Sequence, residues 1–283
     1  MPAAPSTSTA RALDCRGRPL PLGTGTQIVG ILNATPDSFF DGGRWLAPER
    51  AAERAERMAA EGAAAVDLGG QSTRPGYEEI SEREEIARTV PVLERIVPAL
   101  SVPISIDAYR PEVARAALRA GAHWVNDVRG FQGRPAMAEL VAEYGCPAVL
   151  MHWEPSFPEE RGDVMDGLAR YFERSLERAA AAGIPAERIV LDPGIGFFKT
   201  SAQQLEILRR LPELKRMGCP ILLGVSRKSI VGHVLGGGPE DRLEGTLATT
   251  VLAVRQGVDF IRVHDVRENA LAARMAAAIL RGP

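Results

Sequence analysis

The chain has 283 residues, of which 45% are hydrophobic and 25% charged, and its formal net charge is -2. That length suits one large barrel or two small domains, and near-neutrality without a Lys/Arg run argues against nucleic acid or a membrane surface as a partner. No apolar stretch reaches the ~20 residues that cross a bilayer.

Residues 1–10 are small, polar and uncharged. They lack the basic start and apolar run of a secretory signal, so residues 1–12 are expected to be a frayed tail and the protein cytoplasmic. Three widely spaced cysteines, Cys15, Cys146 and Cys219, form no metal-binding pattern and are expected to be reduced, buried thiols. Residues 13–25, with Gly17 and Pro19 in a turn-like setting, predict a short hairpin able to cover the floor of a barrel.

Eight apolar runs then recur, at residues 28–32, 65–68, 104–106, 124–125, 148–151, 189–191, 221–223 and 260–263. Unbroken runs of this kind suit strands buried on both faces. Helical stretches lie between them, among them 48–61, 111–120, 203–217 and 246–256. Gly62, Gly121, Gly145, Gly183, Gly218 and Gly257 each stand just before the next strand, where a residue free to take positive φ closes a helix. Eight βα repeats imply a parallel sheet closed into a single-domain α/β fold, a (β/α)8 TIM barrel over residues 13–283; a doubly wound open sheet is the structural alternative.

The residues that come after the runs carry the chemistry. Asn33 follows the first, Gly69-Gly70 and then Thr73-Arg74 the second, and Asp107 ends the third. Asn126-Asp127, His152 and Asp192 end the next three; Ser226-Arg227-Lys228-Ser229 follow the seventh and His264-Asp265 the eighth. Barrel enzymes build their sites at this rim. One polar residue could cap one strand, but polar groups at nearly all eight need a polar ligand to satisfy them. The chain has 31 Arg but only three Lys (Lys199, Lys215, Lys228) and three Asn (Asn33, Asn126, Asn269), and two of each stand at the rim.

The rim segments resemble the dihydropteroate synthases. GILNATPDSF, DGG, GGQSTRPG, SID, ND, MH, LDPGIGF with KT, SRKS and RVHDV occur in that family's order across residues 28–275. The resemblance implies condensation of 6-hydroxymethyl-7,8-dihydropterin pyrophosphate with p-aminobenzoate. The products are 7,8-dihydropteroate and pyrophosphate, on the route to folate. By resemblance, Asp107, Asn126, Asp192 and Lys228 bind the pterin, with Val128, Met151, Gly196 and Gly224 beside them. Asp192 suits the amino and ring N–H edge, and Asn126 offers both a donor and an acceptor. Asn33 is the family's contact to pyrophosphate and its Mg2+, the expected cofactor. Arg262 and His264, two apart on the last strand and so facing one way, make an anion clamp.

The loops after the first two strands carry Asp37, Asp41, Thr73, Arg74 and Pro75. In the family such loops close around pyrophosphate and shape the p-aminobenzoate pocket, with Phe197 and the Lys228 stem flanking the ring and Ser229 taking the carboxylate. The catalytic set implied is Asp37, Asp41, Arg74, Lys228, Arg262 and His264, acting by a dissociative, SN1-like mechanism. Family members are homodimers through outer helices of the later repeats, and they are sulfonamide targets. Three positions depart from the family pattern: Gln71 stands for a common Glu, Phe40 for a small polar residue, and Phe198 for a small residue. The competing readings are a pterin-dependent methyltransferase, a catalytically silent pterin-binding paralogue, and a Schiff-base aldolase acting through Lys228.

Overall fold

The computed structural model describes residues 11–34, 48–72, 78–159 and 162–282. Eight parallel strands are arranged around a barrel: β3 (Gln27–Asn33), β4 (Ala65–Gly69), β5 (Ile104–Asp107), β6 (Trp124–Asp127), β7 (Ala148–Met151), β8 (Ile189–Asp192), β9 (Leu222–Leu223) and β10 (Phe260–Val263). Their hydrogen-bonded order is β8-β7-β6-β5-β4-β3-β10-β9, and a parallel bridge from Leu191 to Ile221 joins the two ends. The open-sheet alternative is thereby set aside.

Around the barrel run α1 (Pro48–Ala60), α2 (Glu82–Ala99), α3 (Pro111–Arg119), α4 (Ala136–Tyr144), α5 (Val164–Ala181) and α6 (Ser201–Arg210). After β9 come a short α7 (Ser229–Leu235) and then α8 (Leu243–Arg255), and α9 (Val266–Arg281) follows β10. The six glycines placed at helix ends all have positive φ, from 59° at Gly145 to 107° at Gly62. The helix expected over 203–217 is instead α6 followed by a tighter 3-10 turn, Leu211–Met217. Pro212 lacks the N–H that would have continued the α-helical ladder.

The hairpin forms as well: β1 (Ala12–Cys15) pairs antiparallel with β2 (Arg18–Pro21). Its Leu13, Cys15 and Leu20 pack with Val29, Ala65, Trp124, Val149, Val190, Leu222 and Phe260 as one buried cluster. These are the inward side chains at the bottom of the barrel, so the hairpin plugs the floor. Arg16 and Arg18 fasten it by donating to carbonyls of Leu118 and Ala122, and of Val97 and Val102, at the ends of α3 and α2. A separate apolar cluster fills the space between strands and helices. All three cysteines are buried and free.

Strand geometry then fixes the site. Side chains alternate with period two, so the residue two places beyond each floor residue also points inward, one layer higher. Beyond Ala65 stands Asp67; beyond Trp124, Asn126; beyond Val149, Met151. Beyond Val190 stands Asp192; beyond Leu222, Gly224; beyond Phe260, Arg262. The apolar floor and the polar layer above it are two readings of one alternation.

Candidate active site

Arg262 is the hub of this layer. Its Nε donates to Asp67 Oδ2 at 2.5 Å and its Nη2 to Asp107 Oδ2 at 2.9 Å. Asp67 also accepts from Ser105 Oγ at 2.5 Å and from Asn126 Nδ2 at 3.1 Å. A carboxylate can only accept, so Asp67 fixes which way the Asn126 amide points. The consequence is that Asn126 Oδ1 faces away, buried and without a hydrogen-bond partner among the described residues. Of the donor and acceptor expected from Asn126, the donor is used inside the protein and the acceptor is left for a ligand.

Asp192 and Lys228 stand across the barrel from this group. Asp192 Oδ1 accepts from the Gly194 N–H at 2.8 Å. A Cβ built on Gly224 would lie 3.7 Å from Lys228 Nζ and 4.0 Å from both Asp192 Oδ2 and Arg262 Cβ, so the missing side chain leaves space among the three. Lys228 Nζ donates to the Ile195 carbonyl and lies 4.6 Å from the centre of the Phe197 ring. Gly196 has φ 90°, and a Cβ there would press on the Lys228 stem at 2.9 Å, so glycine is needed at this position. Val128 and Met151 form a small buried cluster with Tyr109, against which Trp153 and Phe197 pack.

The charges are held under tension. Burial pushes the Asp107 carboxyl up to about 7; Arg262 opposes this and Asp67 reinforces it. Burial also raises Asp192, against the pull of Lys228. The Lys228 ammonium is brought down to about 8 by burial, with Asp192 working the other way. Desolvation works against the Arg262 charge, yet Asp67 and Asp107 together hold its guanidinium above its ordinary value. Such opposed shifts within one concave layer are the mark of a site built for a charged, hydrogen-bonding ligand.

The remaining positions are arranged around this core. Asn33 ends β3 half-buried, and its Oδ1 is 3.6 Å from the Cβ position of Gly69. His264 follows β10, its Nδ1 3.0 Å from Ser226 Oγ. Ser229 is exposed as the first residue of α7. Arg227 takes positive φ (55°) and is tied bidentately to Asp265 at 2.7 and 2.8 Å, which points it away from the Lys228 side. Asp127 accepts from the Arg129 and Phe131 N–H groups and so shapes the loop after β6. Asp37, Asp41, Thr73, Arg74 and Pro75, together with Phe40, lie outside the described residues.

Two of the departures have a visible setting. Gln71 is buried, donates to the Tyr109 hydroxyl at 3.1 Å and accepts from the Ile80 N–H at 3.2 Å. Tyr109 in turn donates to Glu79, so the amide supplies a donor that an ionised Glu would lack. Phe198 takes positive φ (45°), uncommon for a bulky residue, and its ring meets Trp153 edge to face at 5.0 Å. Asp67 and Ser105, central here, are hidden in the sequence because they lie inside apolar runs; a charge at inward parity within a buried strand is the signal that marks them.

A closed (β/α)8 barrel with a carboxylate, amide and lysine layer under its rim defines a pterin-binding enzyme, and the family model described as pterin binding enzyme matches residues 29–264. The chain belongs to the dihydropteroate synthase family within that class. It is 45% identical over 261 residues to dihydropteroate synthase of Clostridium beijerinckii, covering 92% of this chain and 96% of that protein. It resembles the crystal structure of Clostridium difficile dihydropteroate synthase determined in the presence of pteroic acid, with a TM-score of 0.88 and 48% identity over 92% of this chain and 99% of that one. It is also similar to Yersinia pestis dihydropteroate synthase in a sulfonamide drug complex, with a TM-score of 0.90 and 40% identity over 96% and 100% of the two chains.

Proposed function

We propose that this chain joins 6-hydroxymethyl-7,8-dihydropterin pyrophosphate to p-aminobenzoate, releasing pyrophosphate and 7,8-dihydropteroate. The observation that carries the reading is the buried acceptor set beneath the rim: Asp192 Oδ2, Asp107 and the unpartnered Asn126 Oδ1. Asn126 Oδ1 is buried without a donor, which is costly, and a pterin edge rich in N–H groups would satisfy it together with the two carboxylates. Lys228 has one of its three ammonium protons on Ile195 and presents the others to the ring carbonyl and nitrogen. Val128 and Met151 give the ring an apolar wall. Phe197, the Lys228 stem, Ser229 and Pro75 would hold p-aminobenzoate.

The chemistry follows from the charges. The bond between the pterin methylene and the pyrophosphate oxygen breaks, its electron pair leaving with pyrophosphate. The amine nitrogen of p-aminobenzoate attacks the delocalised cation left behind and then loses a proton. Arg262 and His264 neutralise the leaving group, with Asp37, Asp41, Thr73 and Arg74 assigned to the same end. Asp107 and Asp192 stabilise the cation. Asn33 would hold magnesium: its amide makes no hydrogen bond within the described residues, and one neutral oxygen suits an ion that keeps waters and shares phosphate oxygens. When bound, magnesium supplies charge neutralisation to the leaving pyrophosphate.

The test is pyrophosphate release from the pterin substrate with and without p-aminobenzoate. Magnesium-dependent release, with p-aminobenzoate converting the pterin to 7,8-dihydropteroate and a sulfonamide competing with p-aminobenzoate, is the expected result. Pterin binding without condensation would favour the silent paralogue. The protein is further proposed to act in the cytoplasm as a homodimer. Val251, Leu252, Met275 and Ile279 are exposed apolar side chains on α8 and α9, and sedimentation velocity should show twice the chain mass.

A further inference from the structure

The chain's second rim lysine has no part in the proposed reaction. Lys199 is buried, and its ammonium donates to the Gly194 carbonyl at 3.0 Å and to the Phe197 carbonyl at 3.1 Å, and meets His152 Nδ1 at 2.9 Å. His152 has no exposed surface, and its ring centroid lies 4.5 Å from those of both Phe157 and Tyr171. Burial, reinforced by Lys199, brings the imidazole down to about 2, so it is neutral and its Nδ1 accepts from the ammonium. Burial brings Lys199 itself down to about 7 against the pull of Asp192; in its ammonium form all three protons are in use, and none is left for a substrate.

What they hold is the loop between β8 and α6. Gly194, Gly196 and Phe198 all have positive φ, at 66°, 90° and 45°, so the backbone can turn its carbonyls to different sides. Gly194 and Phe197 point theirs at Lys199, and Ile195 points its own at Lys228. One end of this loop fixes Asp192 through the Gly194 N–H, and the other carries the Phe197 ring. The two half-sites of the proposed reaction thus share six residues of backbone. A compact ammonium with three divergent donors can serve three acceptors around a point, whereas a planar guanidinium cannot.

We propose that Lys199 is a positioning residue that sets both half-sites together, pterin through Asp192 and p-aminobenzoate through Phe197, without touching either substrate. The inference rests on the substrate assignment above. Lys199→Met keeps the length and apolar stem but removes every donor; Lys199→Gln keeps two donors for the loop carbonyls. Steady-state KM for each substrate, kcat and the thermal transition are measured on wild type, both variants and Lys215→Met, a change of an exposed lysine elsewhere.

The Met variant should raise both KM values together by about tenfold, the scale of one lost charge-assisted hydrogen bond. Its kcat should change less, and Gln should recover most of both KM values. If Met does not fold, the Gln variant decides the question: lacking one donor and the charge, it should leave both KM values raised together by about threefold over wild type. Cooperative folding with both KM values within twofold of wild type, or a rise in only one of them, would overturn the proposal. A wild-type protein that fails to condense the two substrates would instead remove the underlying reading, so the two failures are separable.

Discussion

Asp67→Asn tests the electrostatic plan of the barrel at its least conspicuous member. Asp67 Oδ2 serves Arg262 and Asn126 at 2.5 and 3.1 Å, while Oδ1 serves Ser105 at 2.5 Å. The substitution conserves volume. Its new NH2 can face Ser105, whose hydroxyl can turn and accept, leaving Oδ1 for the other two donors without the charge. Arg262 retains Asp107, so the loss is the charge assistance of one strong contact, about 1–2 kcal/mol, or roughly five- to thirtyfold in kcat/KM as Arg262 and Asn126 lose their aim. A second signature separates this from simple loosening. Asp67 is among the causes holding Asp107 up near 7, so its removal lets Asp107 ionise at lower pH. Because ionised Asp107 is the form that accepts a pterin N–H, the acidic limb of the pH–rate profile should move to lower pH. The assay is the initial rate of pyrophosphate release against pH, with calorimetric unfolding as the control. Wild-type kcat/KM with an unmoved acidic limb would refute the reasoning. Asp67→Leu, which removes the acceptor shared by Arg262 Nε, Ser105 and Asn126, should instead lower stability by roughly 3–5 kcal/mol.

Asp192→Asn should weaken pterin binding roughly tenfold to a hundredfold with the fold intact, because Oδ1 stays on Gly194 and the new NH2 then faces pterin donors; isothermal titration with unchanged affinity would count against the assignment. Lys228→Arg should lose most activity, since a wider guanidinium crowds both the Gly196 backbone and the Phe197 ring, whereas Lys215→Arg, exposed in the 3-10 turn, should behave as wild type; normal kinetics for Lys228→Arg would mean that the position needs only charge. Asp107 has a folded-state value near 7, above its ordinary 3.8, so its contribution to stability is full below the lower value and lost as pH rises through the upper one. Asp107→Asn should therefore gain in melting temperature relative to wild type as pH rises from about 5 to about 8, and a constant difference would contradict the burial argument.

The architecture was legible because each local signal agreed with its neighbours. Apolar runs of strand length, glycines at six helix ends and a rim of polar residues all specify a closed parallel barrel, and the hairpin over its floor followed from Gly17 and Pro19. The break at Leu211–Met217 was harder to see, since residues 203–217 keep a helical apolar pattern and only Pro212 marks the change of ladder. The start of the short α7 at Ser229 agrees with the carboxylate-binding role that the resemblance gives this residue at the head of a helix, but the extent of the helix to Leu235 was harder to see. It lies among the residues between β9 and α8, where two turns of helix leave little periodicity to detect.

The site was legible where a residue ended a run and obscure where it lay inside one. Asn126 and Asp192 announce themselves by stopping an apolar stretch, yet Asp67 interrupts AVDL and reads as an anomaly in a core strand. The structure removes the anomaly by parity: Asp67 stands two residues above Ala65 in the floor, just as Arg262 stands above Phe260. The scarcity of lysine and asparagine gains its meaning in the same way. Asn269 serves the fold, accepting from Thr250 at 2.6 Å and donating to the Asp265 carbonyl at 2.7 Å. Asn126 is held by Asp67 so that its oxygen remains open. Lys199 and Lys228 divide one backbone loop between them, the first with all of its donors committed and the second with donors to spare. A chain that otherwise uses arginine for its cations keeps lysine where three acceptors must be met from a single point, and that geometric demand, rather than charge, distinguishes the two rim positions from the rest of its basic surface.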